Sequence, residues 1–595
     1  MADNPPSISE KSAELPGTVW KGKLESTHRL TFIAFALLAV LLSLATFITS
    51  TISAPVGTTY LGFQYNTDDH MVYAAWMRQA MEGQWLMDNR FTTDAQPSLT
   101  VHLYFTILGL LAKVVGIGVA STIGRVFFSL LFIYLAYRLI RRIAPDVYSI
   151  KLTLALVVFG AGIGFLVWHN FGVALVRPGT QFLSPLTRGL LPVDIWQPEG
   201  FVFPSMLTNG LFMVSLCLML GTIQCVLDAR DRWKPVIPGA ICFALLMNIH
   251  SYDVLLIALV LVAFLAMQLT IQQASPAWIG RAAIIGAAAI PPALWFLHVL
   301  SRDAVFQARA ATETYAANFS QVVVGYLPLL LLGLFAIWRF PQDEWSHRRK
   351  LGVGLALVVI GGLYTKSMFA GPGYFLSAPE WIVVYAAMIA AACLIARQDH
   401  TWNLIVAWAL VGLIAIYFPG LFQRKLAMGL SIPWAILAGL GFYATVVRAD
   451  RQSRNLASAL VLLLFCGTSM RWVIREVELA RLNVSNTTLH PVYLGPDVRR
   501  IIHHLNERAG TRTVVLAMPG VWNPERDEQG NSLPDQFRTP FIADLNPILS
   551  GLTGVYTYAG HWSETPNYGQ RRNDATAIFS MTVADEERWR LIDSI

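Results

Sequence analysis

From residue 30 to residue 470 the chain is a succession of long apolar runs, and the first of them, 30–54, carries no charge. About 20 apolar residues in a row are what an α-helix needs to cross the hydrocarbon core of a bilayer. Lipid cannot satisfy free backbone N–H and C=O groups, so only helices and closed barrels span it. The runs are continuous rather than alternating over short strands, which excludes an outer-membrane barrel. Charged residues are 14% of the chain, against roughly a quarter in soluble domains. A soluble enzyme, a disordered chain and a nucleic-acid binder are excluded on that ground. The net charge of +7 is assigned to cytoplasmic loops rather than to an anionic partner. Cys217, Cys225, Cys242, Cys393 and Cys466 lie in or beside apolar runs with no paired spacing, against a disulfide framework or a zinc site. The first run follows about thirty polar residues and reads as an anchor rather than a cleaved signal.

Residues 1–28 are polar and read as a disordered cytoplasmic tail. Residues 29–475 read as a transmembrane domain, with 55–120 as its first outer loop. Basic clusters (Arg138/Arg141/Arg142, Arg230/Arg232/Lys234, Arg281, Arg339/Arg348/Arg349/Lys350, Arg397, Arg448/Arg451/Arg454) punctuate the runs and belong in the cytoplasm. They alternate consistently only if 101–118 does not cross; Lys113, Gly109, Gly116 and Gly118 weaken that segment as a span. The expectation is about thirteen transmembrane helices, amino terminus inside and carboxyl terminus outside. Within 55–100, the segment 70–82 is weakly amphipathic and is expected to lie at the membrane surface. Residues 476–595 are expected to form a small extracytoplasmic α/β domain. Its helices fall at Asp497–Arg508, Leu545–Leu552, Tyr568–Ser580 and Asp585–Ile592, and its strands at Thr513–Met518 and Val555–Tyr558. The chain ends where a further strand is expected, so this domain reads as incomplete.

Candidate chemistry sits in the outer segments. Asn66-Thr-Asp-Asp-His-Met-Val-Tyr73 places adjacent acids, Asp68 and Asp69, just beyond the first span. An acid there can deprotonate a hydroxyl or bind a cation, or it can simply cap the helix that follows. Asp194 and Glu199, in Leu190-Leu-Pro-Val-Asp-Ile-Trp-Gln-Pro-Glu-Gly200, fall on the same side and could join Asp69 around a divalent cation. Solvated acids beside an interfacial Trp196 are the plainer reading. His250 and Asp253 occupy an outer turn and could line a polar cavity. Arg424 and Lys425, in Phe418-Pro-Gly-Leu-Phe-Gln-Arg-Lys-Leu-Ala-Met-Gly429, fall outside against the general charge bias. They ask for an anion such as a phosphate. Lys366 is a similar candidate, with snorkelling to headgroups as its alternative.

Together these features resemble the C-type membrane glycosyltransferases (the GT-C fold). Four stretches carry the resemblance: Asp68 to Asn89 with Gly83-Gln-Trp85, Asp194-Ile-Trp-Gln-Pro-Glu199, Gln423-Arg-Lys-Leu-Ala-Met-Gly429 and Gly560-His-Trp-Ser-Glu-Thr-Pro566. They look like poorly characterised bacterial members. The resemblance implies an all-α polytopic membrane fold in the plasma membrane. It implies inverting transfer of a sugar from a polyprenyl-phosphate donor, a membrane lipid, to a lipid, glycan or protein acceptor. Asp69 or Asp68 would activate the acceptor, directly or through Mg²⁺ or Mn²⁺ held by Asp69, Asp194 and Glu199. Arg424 and Lys425 would hold the lipid phosphate. The competing expectations are a transporter or flippase of an amphipathic solute, and a non-catalytic relative whose acids are only caps.

Overall fold

The computed structural model describes residues 26–595 apart from 168–182, 340–346, 372, 483–488, 511 and 524–539. The chain is mostly helical. Among the described residues nine helices are long and apolar enough to cross a membrane. A tenth crossing forms if the first two helices, bent by 44° at Leu44, count as one. The remaining expected spans, 151–168, 236–250 and 402–418, appear as Val147–Phe159, Val236–Ile249 and His400–Ala415. At 1.5 Å per residue these reach roughly 20–24 Å, short of a 30 Å core; residue 168 lies outside the described residues.

Helix His400–Ala415 is buried from Thr401 onward, and helix Ser431–Val446 nearly throughout. Trp402, Trp408 and Trp434 fill the bundle centre. The periphery is the reverse. Ile290, Leu294 and Leu297 on one helix, and Leu456, Leu460 and Leu463 on another, are more than half exposed. Apolar stripes of that extent are tolerable against lipid and costly against water.

The two ends of the bundle differ. At one end Arg142 pairs with Asp228 at 2.9 Å, with Arg138 3.8 Å from the same carboxylate. Nearby, Arg281 donates to the carbonyl of Ala229. Helix Gly210–Asp228 runs from this basic end to the opposite one, roughly 28 Å away by helical rise.

At that opposite end lies helix Thr67–Met81. It is expected at the membrane surface, but ten of its residues are buried. It lies between helices Leu103–Val115 and Asn546–Thr553. Two glycines permit this: a Cβ on Gly109 would meet the carbonyl of Met77 at 2.5 Å, and one on Gly551 that of Met71 at 2.9 Å. Short strands Thr59–Tyr60 and Tyr493–Leu494 pair antiparallel, so the carboxyl-terminal segment is knit to the first loop. The expected carboxyl-terminal helices are present as Pro496–Arg508, Asn546–Thr553, Tyr568–Phe579 and Asp585–Asp593. The expected strands shrink to Val514–Val515 and Tyr556–Thr557, paired in parallel. Residues that would have extended the second strand bond to the first loop instead, as when Gly560 donates to the carbonyl of Phe91.

Candidate functional site

Helix Thr67–Met81 begins after Asn66, whose backbone is left-handed at φ 46°, a conformation asparagine tolerates better than most residues. Asn66 therefore holds the cap position, and the capping role considered for Asp68 and Asp69 does not apply. Both acids sit in the first helical turn, where unpaired backbone N–H groups favour negative charge. They face different neighbours. Asp68 lies 3.5 Å from His561 Nε2 and 3.9 Å from His490 Nε2. Burial acts to raise the Asp68 carboxyl, but His561 and then His490 outweigh it and hold it well below the usual range. Asp69, more than a third exposed, opens into a cavity and receives a weak hydrogen bond from Asn66 Nδ2 at 3.4 Å.

That cavity has a volume of about 490 Å³. Asp69, Tyr73 and Trp76 line it at i, i+4 and i+7 of one helix. His250, Tyr252, Arg309, Arg424, Lys425, Trp562 and Glu564 arrive from four other segments. Arg424 Nε stands 2.9 Å from the carboxylate of Glu199, which is 2% exposed. Arg309 pairs with Glu564 at 2.8 Å and stacks over Trp76 at 5.0 Å. Among the described residues Lys425 has no carboxylate partner. Among the described residues the cavity thus holds one cation without a carboxylate partner, Lys425, two carboxylates that no lysine or arginine neutralises, Asp69 and Glu313, and two neutralised arginines. Helix Ile290–Arg302 contributes Trp295 and Phe296 to the wall, while Ile290, Leu294 and Leu297 on the same helix are exposed.

The structure therefore gathers Asp69, His250, Arg424 and Lys425, with Glu199 directly behind Arg424. It does not gather the others. Asp253 is fully buried, 2.9 Å from His250 Nδ1 and bonded to the Ser215 hydroxyl; it orients His250 and does not line the cavity. Asp194 is also fully buried, accepting from the Gly164 N–H at 2.8 Å and the Thr468 hydroxyl at 2.9 Å. Burial raises its carboxyl to about 7 despite those bonds. Lys366 lies outside the cavity, paired with Glu380 at 2.6 Å on the surface. The expected Mg²⁺ or Mn²⁺ set of Asp69, Asp194 and Glu199 is corrected accordingly. Asp194 serves a backbone turn and Glu199 serves Arg424. Among the described residues no group of three His, Cys, Asp or Glu side chains could hold a metal ion.

Three cavity contributors escaped the sequence reading, Trp76, Arg309 and Glu564, and so did His561, which stands behind Asp69. Trp76 was findable, since it lies seven residues after Asp69 on the same helical face. His561 and Glu564 stand in a stretch already singled out, but nothing in it says what they face. Arg309 carries no sequence signal. No protein-family model matches this chain, and no curated protein matches it either.

Proposed function

We propose that the chain is a membrane glycosyltransferase of the GT-C type, moving a sugar from a polyprenyl-phosphate carrier to an acceptor hydroxyl at the outer face of the bacterial plasma membrane. The single observation that supports the reading most is the meeting of a carboxylate that no lysine or arginine neutralises, Asp69, and a cation without a carboxylate partner among the described residues, Lys425, in one aromatic cavity. That cavity lies at the end of the bundle opposite the basic belt, as the positive-inside rule would have an outer-face site lie. In this topology the three shorter apolar helices complete thirteen crossings, the amino terminus is cytoplasmic, and the segment from 476 is extracytoplasmic.

The chemistry follows from the charges. The acceptor hydroxyl donates to Asp69. Its oxygen attacks the anomeric carbon from the side away from the phosphate, so configuration inverts. The carbon–oxygen bond to phosphate breaks, its electron pair leaves on the polyprenyl phosphate, and Asp69 keeps the acceptor's proton. Lys425, backed by Arg424, stabilises the charge growing on the leaving group. One free cation suits a phosphodiester with one negative charge better than a pyrophosphate with two. The prenyl chain lies along helix Ile290–Arg302, where the cavity wall meets the lipid zone. No step runs through a metal ion, because the expected ligands do not fit one.

The test is mass spectrometry of envelope lipids and glycans from cells with and without the gene, and with Asp69→Asn. A glycosylated product present only with the intact gene is expected. Loss of a general base costs roughly 10²–10⁴ in rate, so Asp69→Asn should remove it. Undiminished product with Asp69→Asn would end the proposal.

A further inference from the structure

His561 is 2% exposed and comes from a segment almost five hundred residues beyond Asp69. Several contacts fix it. Its backbone N–H donates to Thr565 Oγ1 at 3.0 Å, and that hydroxyl donates to the carbonyl of Phe91 at 2.5 Å. The ring packs edge-on against Phe91 at 5.8 Å. Gly560 lets the segment approach: a Cβ there would meet the Phe91 Cα at 2.7 Å. The backbone N–H of Ser563 donates to His561 Nδ1 at 3.2 Å, so Nδ1 is an acceptor and the ring proton sits on Nε2.

That Nε2 is buried and completes no hydrogen bond. It points between two carboxylates, 3.5 Å from Asp68 Oδ2 and 3.7 Å from Asp69 Oδ1. A buried donor left unmade costs about 1–3 kcal/mol, so a donor held half an ångström or so beyond bonding distance is poised rather than satisfied. Catalytic hydrogen bonds are commonly long before substrate binds and tighten afterwards. Asp68, held ionised and largely covered, anchors the ring from the side away from the cavity. Asp69 is left with Oδ1 facing the ring, while Oδ2, held only by the long 3.4 Å contact from Asn66, is available to an acceptor.

We propose that His561, anchored by Asp68 and Ser563, is a positioning residue that fixes the Asp69 carboxylate for proton transfer. This rests on the glycosyltransfer reading above. It also makes the carboxyl-terminal segment part of the site rather than an appended module. His561 itself takes no proton from the acceptor, because its Nε2 already carries one and its Nδ1 is occupied by Ser563.

The test compares full-length wild type, His561→Leu, His561→Gln and Asp69→Asn in liposomes. Extracted envelope lipid serves as donor source, and release of polyprenyl phosphate is followed. Glutamine places an N–H near the Nε2 position, whereas leucine fills the space without a donor. Expected are a 30- to 300-fold loss of kcat in His561→Leu with donor KM unchanged, and recovery to within about tenfold of wild type in His561→Gln. These are order-of-magnitude values for a group acting through the base. If Asp69→Asn is inactive while His561→Leu turns over normally, or if Gln rescues no better than Leu, the positioning role is wrong and the glycosyltransfer reading stands. If Asp69→Asn releases carrier as fast as wild type, the reading itself fails and the positioning role falls with it.

Discussion

The buried pair Glu199–Arg424 makes a prediction whose two halves differ in size. Glu199 is 2% exposed, and the Arg424 side chain is 35% exposed. Removing the arginine, as in Arg424→Met, strands a carboxylate with no access to water. The cheapest escape is protonation. A glutamate titrates near 4.3 in water, so carrying its proton at pH 7 costs about 3.7 kcal/mol, and at pH 5 only about 1 kcal/mol. The general cost of breaking a buried pair, about 3–5 kcal/mol, agrees with the first figure. Removing the acid, as in Glu199→Gln, strands instead a guanidinium that reaches water, at roughly 1 kcal/mol. Apparent Tm of the purified variants in detergent, at one scan rate and at pH 5 and pH 7, measures both. The expected result is a large destabilisation of Arg424→Met at pH 7 that shrinks by more than half at pH 5. Glu199→Gln should show a smaller and nearly pH-independent loss. Equal losses, or an Arg424→Met defect that ignores pH, would refute the reasoning that Glu199 is the buried and dependent partner.

Other expectations are narrower. Asp194 lies outside the cavity and its burial already favours the neutral acid, so Asp194→Asn should keep transfer within about fivefold; a loss as deep as that of Asp69→Asn, beyond the 10²-fold typical of a removed general base, would restore it to the site. Gly560→Ala drives a Cβ into the Phe91 backbone and should lower kcat much more than abundance, measured by comparing turnover with membrane protein level. The Asp68–His561 contact has an acid limit. Burial acts to raise Asp68, but His561 and His490 hold it low, so its contribution is present above about pH 4 and lost as pH falls through its folded value. Protease resistance of the carboxyl-terminal segment should therefore fall on acidification below that limit, and His561→Leu should weaken the fall.

Much of the helical frame is written in the apolar runs, because lipid leaves the backbone no alternative. That Asp69, Arg424, Lys425 and His250 lie around one cavity was legible for a related reason: polar groups just beyond apolar runs tend to share one surface. What a surface argument cannot supply is direction. It placed Asp194 beside Asp69, but Asp194 turns inward to Gly164 and Thr468. It treated Glu199 and Arg424 as independent, although their chemistry is each other. It left Lys366 free, when Glu380, fourteen residues on, is its partner. The buried placement of helix Thr67–Met81 was hidden because its weak amphipathicity reflects two packed faces, one against Leu103–Val115 and one against a helix more than four hundred residues later. His561 and Arg309 depend wholly on such long-range convergence, and local sequence holds no trace of it.

The chemistry proposed for Asp69 requires the cavity to open on the non-cytoplasmic side of the membrane. Glu313 lies on its rim and is exposed. A Glu313→Cys variant in a background without the five native cysteines can be challenged in intact cells with a membrane-impermeant maleimide, beside a cysteine placed in the amino-terminal tail. Labelling of position 313 from outside, with the tail cysteine reacting only after permeabilisation, is the expected result. Reaction of both only after permeabilisation would put the cavity in the cytoplasm and contradict the proposed chemistry.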